Sequence, residues 1–191
     1  MGRLEIGANT SGKLIDGTLE LSGRDRLQRE VGMRGAAQFV RLEAVTNGSF
    51  INLRSLNGRT HLGWKLGLSP KVSLVLRIKT GVGDSNLDLT DLKVTELKLE
   101  SGVGGTTLTL PSSGVVSARV ESGVGKTTVY IPSGMQARVR ASSGIGAVRV
   151  NGEFTRDGDV YTSSGFETSS NRVELEVQGG VGQVKVEQSG R

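Results

Sequence analysis

A tripeptide of the form Gly-Val/Ile-Gly recurs along the chain at a fixed spacing. The first four copies begin at residues 81, 102, 123 and 144, each 21 residues after the previous one, and a fifth begins at residue 180, after 36. The copies are Gly81-Val82-Gly83, Gly102-Val103-Gly104, Gly123-Val124-Gly125, Gly144-Ile145-Gly146 and Gly180-Val181-Gly182. Such self-similarity indicates a repeat architecture, in which each unit buries its apolar face only by stacking on its neighbours.

Each copy is flanked by apolar residues at equivalent positions. The positions five before, three before and six after the first glycine are apolar in all five copies, and the residues between them are mostly polar. This period-two alternation predicts a unit made of a strand, a glycine corner, a second strand and a turn. A reversal within three residues often needs a positive φ, which glycine adopts without steric cost. We expect the Val or Ile between the two glycines to point inward and fill the corner.

The constant period favours an all-β fold of the β-solenoid type, with 21-residue coils stacked about 4.8 Å apart. The alternative is an antiparallel meander folded into two sheets, which does not require residue-for-residue equality at a constant period. Glycine supplies 29 of the 191 residues, about twice its average share of ~7%, which agrees with many corners and turns.

The chain divides by pattern into an irregular part and a regular part. Residues 1–70 are predicted to form an irregular β region that caps the stack, because a bare terminal coil would expose an unpaired sheet edge. Within it, strand patterns fall at 4–7, 14–21, 38–44, 50–56 and 64–68, whereas 24–31 is interpreted as a charged loop. Residues 71–191 are predicted to form the regular solenoid, continuous with the cap as one domain, with a hairpin insertion at about 152–170.

The insertion between the fourth and fifth copies contains two short alternating runs about Asp157-Gly158, a strong hairpin signal. It holds three of the seven aromatic residues, Phe154, Tyr161 and Phe166. Long insertions are often functional, so these rings are candidates for an interaction surface. The alternative is that they cover the end of the core.

Several chemical motifs are incomplete. The Gly123–Thr127 segment resembles a phosphate-binding loop, but Val120 occupies the position of that motif's first glycine. Asp84–Asp88 begins like a calcium loop, but Leu89 replaces the required glycine. The chain has no cysteine, and His61 is its single histidine. We therefore predict no catalytic, cofactor-binding or metal-binding residues and no enzymatic activity.

The net charge of +5 is modest for this length, so nucleic-acid binding is not expected. No apolar run approaches the 18 or so residues of a membrane span, and no signal-peptide core is present near Met1. The expected location is either the bacterial cytoplasm or a soluble domain of a membrane-associated envelope protein.

One charged pattern follows the repeat. A cation stands four residues before the first glycine of the first four copies, and the fifth copy has Glu176 there. We call these cations, Arg77, Lys98, Arg119 and Arg140, the cation column. Like charges about 5 Å apart repel by roughly 1 kcal/mol in water-like surroundings, and neighbouring glutamates could offset this. The column is predicted to be either a balanced solvated face or a surface for an anionic partner.

Beyond the corners, several segments carry a family likeness. They are 64–70 (WKLGLSP), 78–83 (IKTGVG), 87–89 (LDL), 108–111 (LTLP) and 171–182 (NRVELEVQGGVG). With these segments the chain resembles the toast-rack group of bacterial proteins, which includes the C-terminal domain of LiaF-type cell-wall-active-antibiotic response proteins and adhesin-like domains. The resemblance implies a non-enzymatic interaction or regulatory domain that contacts a protein partner or an envelope component. It implies no catalytic residue, and the alternative function is a self-assembling structural solenoid that forms homo-oligomers.

Overall fold

The protein is described by a computed structural model that covers residues 2–21, 25–46 and 62–189. These residues form 13 β-strands and no helix, so the all-β prediction is confirmed. No helix capable of crossing a bilayer occurs in this part of the chain. The strands are β1 Gly2–Ala8, β2 Ile15–Glu20, β3 Asp25–Arg34, β4 Ala37–Thr46, β5 Leu62–Leu68, β6 Ser73–Asp88, β7 Lys93–Val103, β8 Thr106–Thr109, β9 Val115–Ile131, β10 Gln136–Asn151, β11 Phe154–Asp157, β12 Val160–Ser163 and β13 Arg172–Gln188.

The five glycine repeats form five bent coils that pair in parallel. The first coil is β6, the second β7 with β8, the third β9, the fourth β10 and the fifth β13, and each has one arm on either side of its glycine corner. Residues 21 apart are register partners: Leu76 with Leu97, and Leu97 with Ala118. Parallel pairing excludes an antiparallel meander for these strands.

The coils do not stack in the order of the chain. The sheet runs β11-β12-β10-β13-β9-β7-β6-β1-β5-β2, with β8 on β6 and β9. The fifth coil therefore lies between the third and the fourth, and Val181 is the register partner of both Val124 and Ile145. The insertion before β13 carries the chain around the fourth coil, so that the last repeat enters the stack instead of extending it.

The apolar columns lie inside the coils. Leu99, Val120 and Val177 are fully buried in the first arms, as are Leu108 and Val129 in the second arms. Equivalent residues in the first and fourth coils, such as Ile78 and Val150, are only partly buried and pack against this core. Burying a side chain of this size is worth about 1.5–3 kcal/mol, so the ladders of like residues hold the coils together.

The residue between the two glycines points outward, which corrects our expectation that it fills the corner. These five side chains are 46–71% exposed. The inside of the corner is occupied instead by hydroxyl pairs, in which Thr106 donates to Ser101 over 3.1 Å and Thr127 donates to Ser122 over 2.8 Å. The second glycine of each copy has φ between 135° and 146°, and this backbone turn changes the phase of the alternation.

The N-terminal strands lie at the other end of the sheet. β1 pairs in parallel with the second arm of β6 and with β5, and β2 pairs antiparallel with β5. The interpretation of 24–31 as a charged loop is wrong: β3 begins at Asp25 and pairs antiparallel with β4 over ten residues, through a turn at Gly35 with φ of 62°. Pairing with β4 satisfies the backbone groups that a charged loop would leave to water. The predicted strand at 50–56 and His61 lie outside the described residues.

Candidate interaction surfaces

The cation column lies on the outer face of the first arms. Arg77, Lys98 and Arg119 are consecutive register partners across β6, β7 and β9. Because the fifth coil enters the stack, Glu176 separates Arg119 from Arg140. The column is thus three cations, one carboxylate and one further cation, rather than four adjacent cations.

Glutamates neutralise the three adjacent cations of the column. Arg77 donates to Glu96 over 3.0 Å, and the Lys98 ammonium lies 2.7 Å from Glu100. Arg119 donates to Glu121 over 2.6 Å and to Glu176 over 2.9 Å. Exposed pairs of this kind contribute about 0–1 kcal/mol each, so their main effect is to balance charge on a regular face.

Two of the column cations, Lys98 and Arg119, have pKa values that these pairs shift. The hydrogen bond to Glu100 raises the pKa of Lys98, and the hydrogen bond from Lys98 lowers the pKa of Glu100, with Lys79 adding to the same effect. The hydrogen bond to Glu121 raises the pKa of Arg119, and Glu176 acts in the same direction. Lys98, Glu100 and Arg119 therefore stay charged near neutral pH.

Arg140 differs from the other members of the column. It is exposed, and it has no ion pair within 4.0 Å in the described part of the chain, although Glu176 is its register partner. On its other side Arg140 faces Val160 of β12, the strand of the inserted hairpin that pairs antiparallel with β10. A cation with unused hydrogen-bond donors therefore stands beside the hairpin at this end of the stack.

The hairpin aromatics form two contacts with arginines. Phe154 and Tyr161 meet edge to face with ring centroids 6.4 Å apart, and Arg156 lies over the Tyr161 ring at 5.2 Å. Arg138 lies over the Phe166 ring at 4.3 Å. Phe154 and Tyr161 are partly buried against the core, and Phe166 is only 6% exposed. Phe154 and Tyr161 thus pack against the core and only parts of them remain accessible, whereas Phe166 is buried beneath Arg138.

The structure adds a surface that our sequence interpretation missed. The outward side chains at the corners, Val82, Val103, Val124, Val181 and Ile145, are register partners in that order. We call this row of exposed aliphatic side chains the valine ridge. A count of residues along the sequence could have revealed it. The last inward residue of the first arm and the first inward residue of the second arm are five residues apart. Residues on one face of an unbroken strand are an even number apart, so the alternation must change phase at the corner.

No group of three or more His, Asp or Glu side chains suited to holding a metal ion occurs among residues 2–21, 25–46 and 62–189. The sites that the geometry defines are surfaces: the cation column, the hairpin end and the valine ridge. Ladders of this kind present side chains at a constant spacing along the stack.

Together, the parallel coils and these surfaces define an all-β solenoid with outward-facing side-chain ladders. The model of the N-terminal domain of toast_rack, DUF2154, matches residues 1–130, and the chain belongs to this toast-rack family. A crystal structure of a putative cell adhesion protein from Clostridium sporogenes ATCC 15579 has a similar fold, with a TM-score of 0.83 and 27% identity. The similarity covers 98% of this chain and 88% of that one. No curated protein matches the chain.

Proposed function

We propose that this chain is a non-enzymatic interaction domain that binds a protein or polymer of the bacterial cell envelope. Family membership and the similarity to a putative cell adhesion protein support an interaction role. The repeated outer ladders supply a regular surface for it, since their strands pair in register along the stack.

The observation that carries this proposal is the environment of Arg140. The other cations of the column are held by glutamates, whereas Arg140 has no ion pair among the described residues and lies next to the hairpin that bears Phe154 and Tyr161. An arginine with unused donors can bind a carboxylate or phosphate through two parallel hydrogen bonds. The rings lie on the other face of the sheet, because Arg140 pairs with Val160 whereas Tyr161 pairs with the buried Val139. We assign the contact to Arg140, with Arg77, Lys98 and Arg119 as a balanced flank and with Phe154, Tyr161 and Phe166 as the packed side chains that support the neighbouring hairpin.

The test is co-sedimentation of the purified chain with isolated bacterial cell-wall fragments that carry anionic polymers. The expected result is salt-sensitive binding that Arg140→Glu weakens at least tenfold. Arg77→Glu is the matched control, because this arginine belongs to the same column but already pairs with Glu96 over 3.0 Å. Absence of binding, or equal loss in both variants, would contradict the assignment.

A finer proposal is that this contact reports envelope stress, as the resemblance to LiaF-type proteins implies. A bacterial strain carrying the Arg140→Glu chain should then change the output of an envelope-stress reporter at unchanged protein level. An adhesive role predicts instead an unchanged reporter and weaker attachment of cells to a surface.

A second candidate function is structural self-assembly, and one observation favours it. The hairpin strand β12 pairs with the first arm of β10, but among the described residues the second arm of β10 pairs only with β13. Val148 in that arm is 38% exposed, whereas its partner Val184 is 1% exposed. End-to-end stacking through this arm would give open-ended assemblies in light scattering, and replacement of Val148 by lysine would abolish them. A mass that does not grow with concentration would refute stacking.

A further inference from the structure

The valine ridge is an apolar surface without a partner in the described part of the chain. Its five side chains are 46–71% exposed and follow one another at the spacing of the coils. Apolar patches of about 300–600 Å² on a monomer are often functional. A continuous row that repeats in every coil belongs to this class rather than to scattered surface valines.

The ridge is bordered by glycines on both sides. In each coil the central residue stands between two glycines, so the row of side chains runs between two tracks that carry none. A second ridge of the same spacing can lie in such a track, because aliphatic side chains would meet backbone and not other side chains. The ridge and its tracks are therefore complementary to a second copy of themselves, as a two-fold symmetric interface requires.

Charged residues flank the ridge in a pattern that depends on the arm. On the first-arm side, the residues two before the first glycine are Lys79, Glu100 and Glu121 in the first three coils. On the second-arm side Asp84 is in the first coil and Lys126 in the third, with Gly105 between them. The fifth and fourth coils have uncharged residues at these positions.

A two-fold axis along the stack makes these flanks complementary. Each coil then faces the same coil of the other copy, and the first-arm side of one copy faces the second-arm side of the other. Lys79 meets the partner's Asp84, and Glu121 meets the partner's Lys126, each pair occurring twice by symmetry. A two-fold axis across the stack instead places Glu121 against the partner's Glu121 and Lys126 against the partner's Lys126, which is repulsive.

We infer that the valine ridge is a self-association surface through which two copies of this chain pack side by side, with their coils in the same direction and in register. The buried area, about 1,000 Å² for two such patches with their flanks, lies at the lower end for specific complexes. The dimer should accordingly be weak and concentration-dependent. It is closed, unlike the end-to-end stacking above, and does not depend on the envelope contact proposed for Arg140.

The experiment is disulfide trapping, which the chain allows because it has no cysteine of its own. In the proposed dimer the Val82 side chains of the two copies lie side by side at the same level of the stack, each against the partner's glycines, so Val82→Cys should form a covalent dimer under mild oxidation. Val115→Cys is the matched control, since Val115 is 54% exposed on the first arm of β9 and lies off the ridge. Cross-linking of the control to the same extent, or of Val82→Cys only when mixed with Ile145→Cys, would overturn the proposal.

Charge exchange tests the same dimer without cysteine. Lys126→Glu should weaken self-association at least tenfold in sedimentation velocity, because two glutamates then face each other. An equimolar mixture of the Lys126→Glu and Glu121→Lys variants should restore self-association. In the mixed dimer, both contacts between position 121 of one copy and position 126 of the other again join opposite charges. A native chain that stays monomeric at all concentrations, or a mixture that fails to recover although both variants keep the native unfolding midpoint, would overturn the proposal.

Discussion

The inner and outer sides of the glycine corner carry different kinds of side chain, although both come from the same short segment: hydroxyl groups lie inside and an aliphatic group lies outside. Inside the third coil, Ser122 and Thr127 join their hydroxyls 2.8 Å apart. Outside it, Val124 is 47% exposed, although it lies only four residues after the fully buried Val120. The inner side of this corner is filled by two small side chains that are joined by a hydrogen bond, whereas the valine between the glycines lies outside it. Hydrophobicity alone therefore does not determine which side of a bent strand a residue occupies.

The inner side of the corner has a second version. In the fifth coil the equivalent residues are Gly179 and Val184, and a Cβ on Gly179 would lie 2.8 Å from a Val184 methyl group. Loss of the first side chain makes room for the second, so an apolar pair replaces the hydroxyl pair. The two versions are comparable solutions to filling the same narrow space.

The largest effect is expected at the second glycine of the corner. Gly104 has φ of 142°, and a Cβ there would lie 2.0 Å from the carbonyl oxygen of Gly83. Gly104→Ala should therefore lower the free energy of unfolding by about 3–5 kcal/mol, since strain and a backbone clash add. Urea unfolding followed by circular dichroism measures this.

Two other glycines of the repeat serve as controls. Gly102 lacks the positive φ, but its added Cβ would lie 2.4 Å from the Gly81 carbonyl oxygen, whereas Gly81 has nothing within 4 Å. Gly102→Ala should be intermediate, and Gly81→Ala should change stability by less than about 0.5 kcal/mol. Equal losses at all three positions would show that the coils do not approach each other at the corner in this way.

A smaller effect is expected at the hydroxyl pair. Thr127→Val should cost about 1 kcal/mol, because it removes a hydrogen bond and leaves the Ser122 hydroxyl without that partner. The double variant Ser122→Gly with Thr127→Val reproduces the pair found in the fifth coil, and should be more stable than the sum of the single changes predicts. A double-mutant cycle by urea unfolding measures the coupling. Strict additivity would mean that the two positions do not share the inside of the corner.

The smallest effect is expected from pH. The hydrogen bond from Lys98 lowers the pKa of Glu100 below its ordinary value of 4.5. This carboxylate thus contributes stability that is complete above pH 4.5 and is lost as the pH falls through the lowered pKa of the folded state. Glu100→Gln should flatten the decrease of the urea midpoint below pH 4.5. Glu153→Gln, an exposed carboxylate without an ion pair within 4.0 Å among the described residues, should leave the slope unchanged. The assignment fails if both variants behave alike.

The strands and the buried columns follow from the sequence because their signals are local. Alternation around each glycine predicts that residues such as Leu99 and Leu108 face the core, and Asp157-Gly158 predicts the hairpin. The cation column could likewise be anticipated from its period, although its interruption by Glu176 depends on how the coils are ordered.

The order of the coils could not be predicted, because it depends on contacts between distant segments. A period of 21 fixes which residues are equivalent but not which coil lies beside which, so the entry of β13 between β9 and β10 leaves no local signal. The outward direction of Val124 depends on the φ of Gly125, which a period-two pattern does not contain. β3 has the charge density of a loop and becomes a strand only by pairing with β4.

The central claim is that the valines between the corner glycines lie outside the core, whereas the side chains four residues before them lie inside it. The most direct measurement is urea unfolding of Val120→Ala and Val124→Ala, at a concentration low enough to keep the chain monomeric. Both changes remove the same atoms, from a side chain that is 0% exposed at Val120 and 47% exposed at Val124. We predict a loss of about 2–3 kcal/mol at the first position and less than about 0.5 kcal/mol at the second. Equal losses would contradict the account, because they would mean that Val124 fills the corner from within.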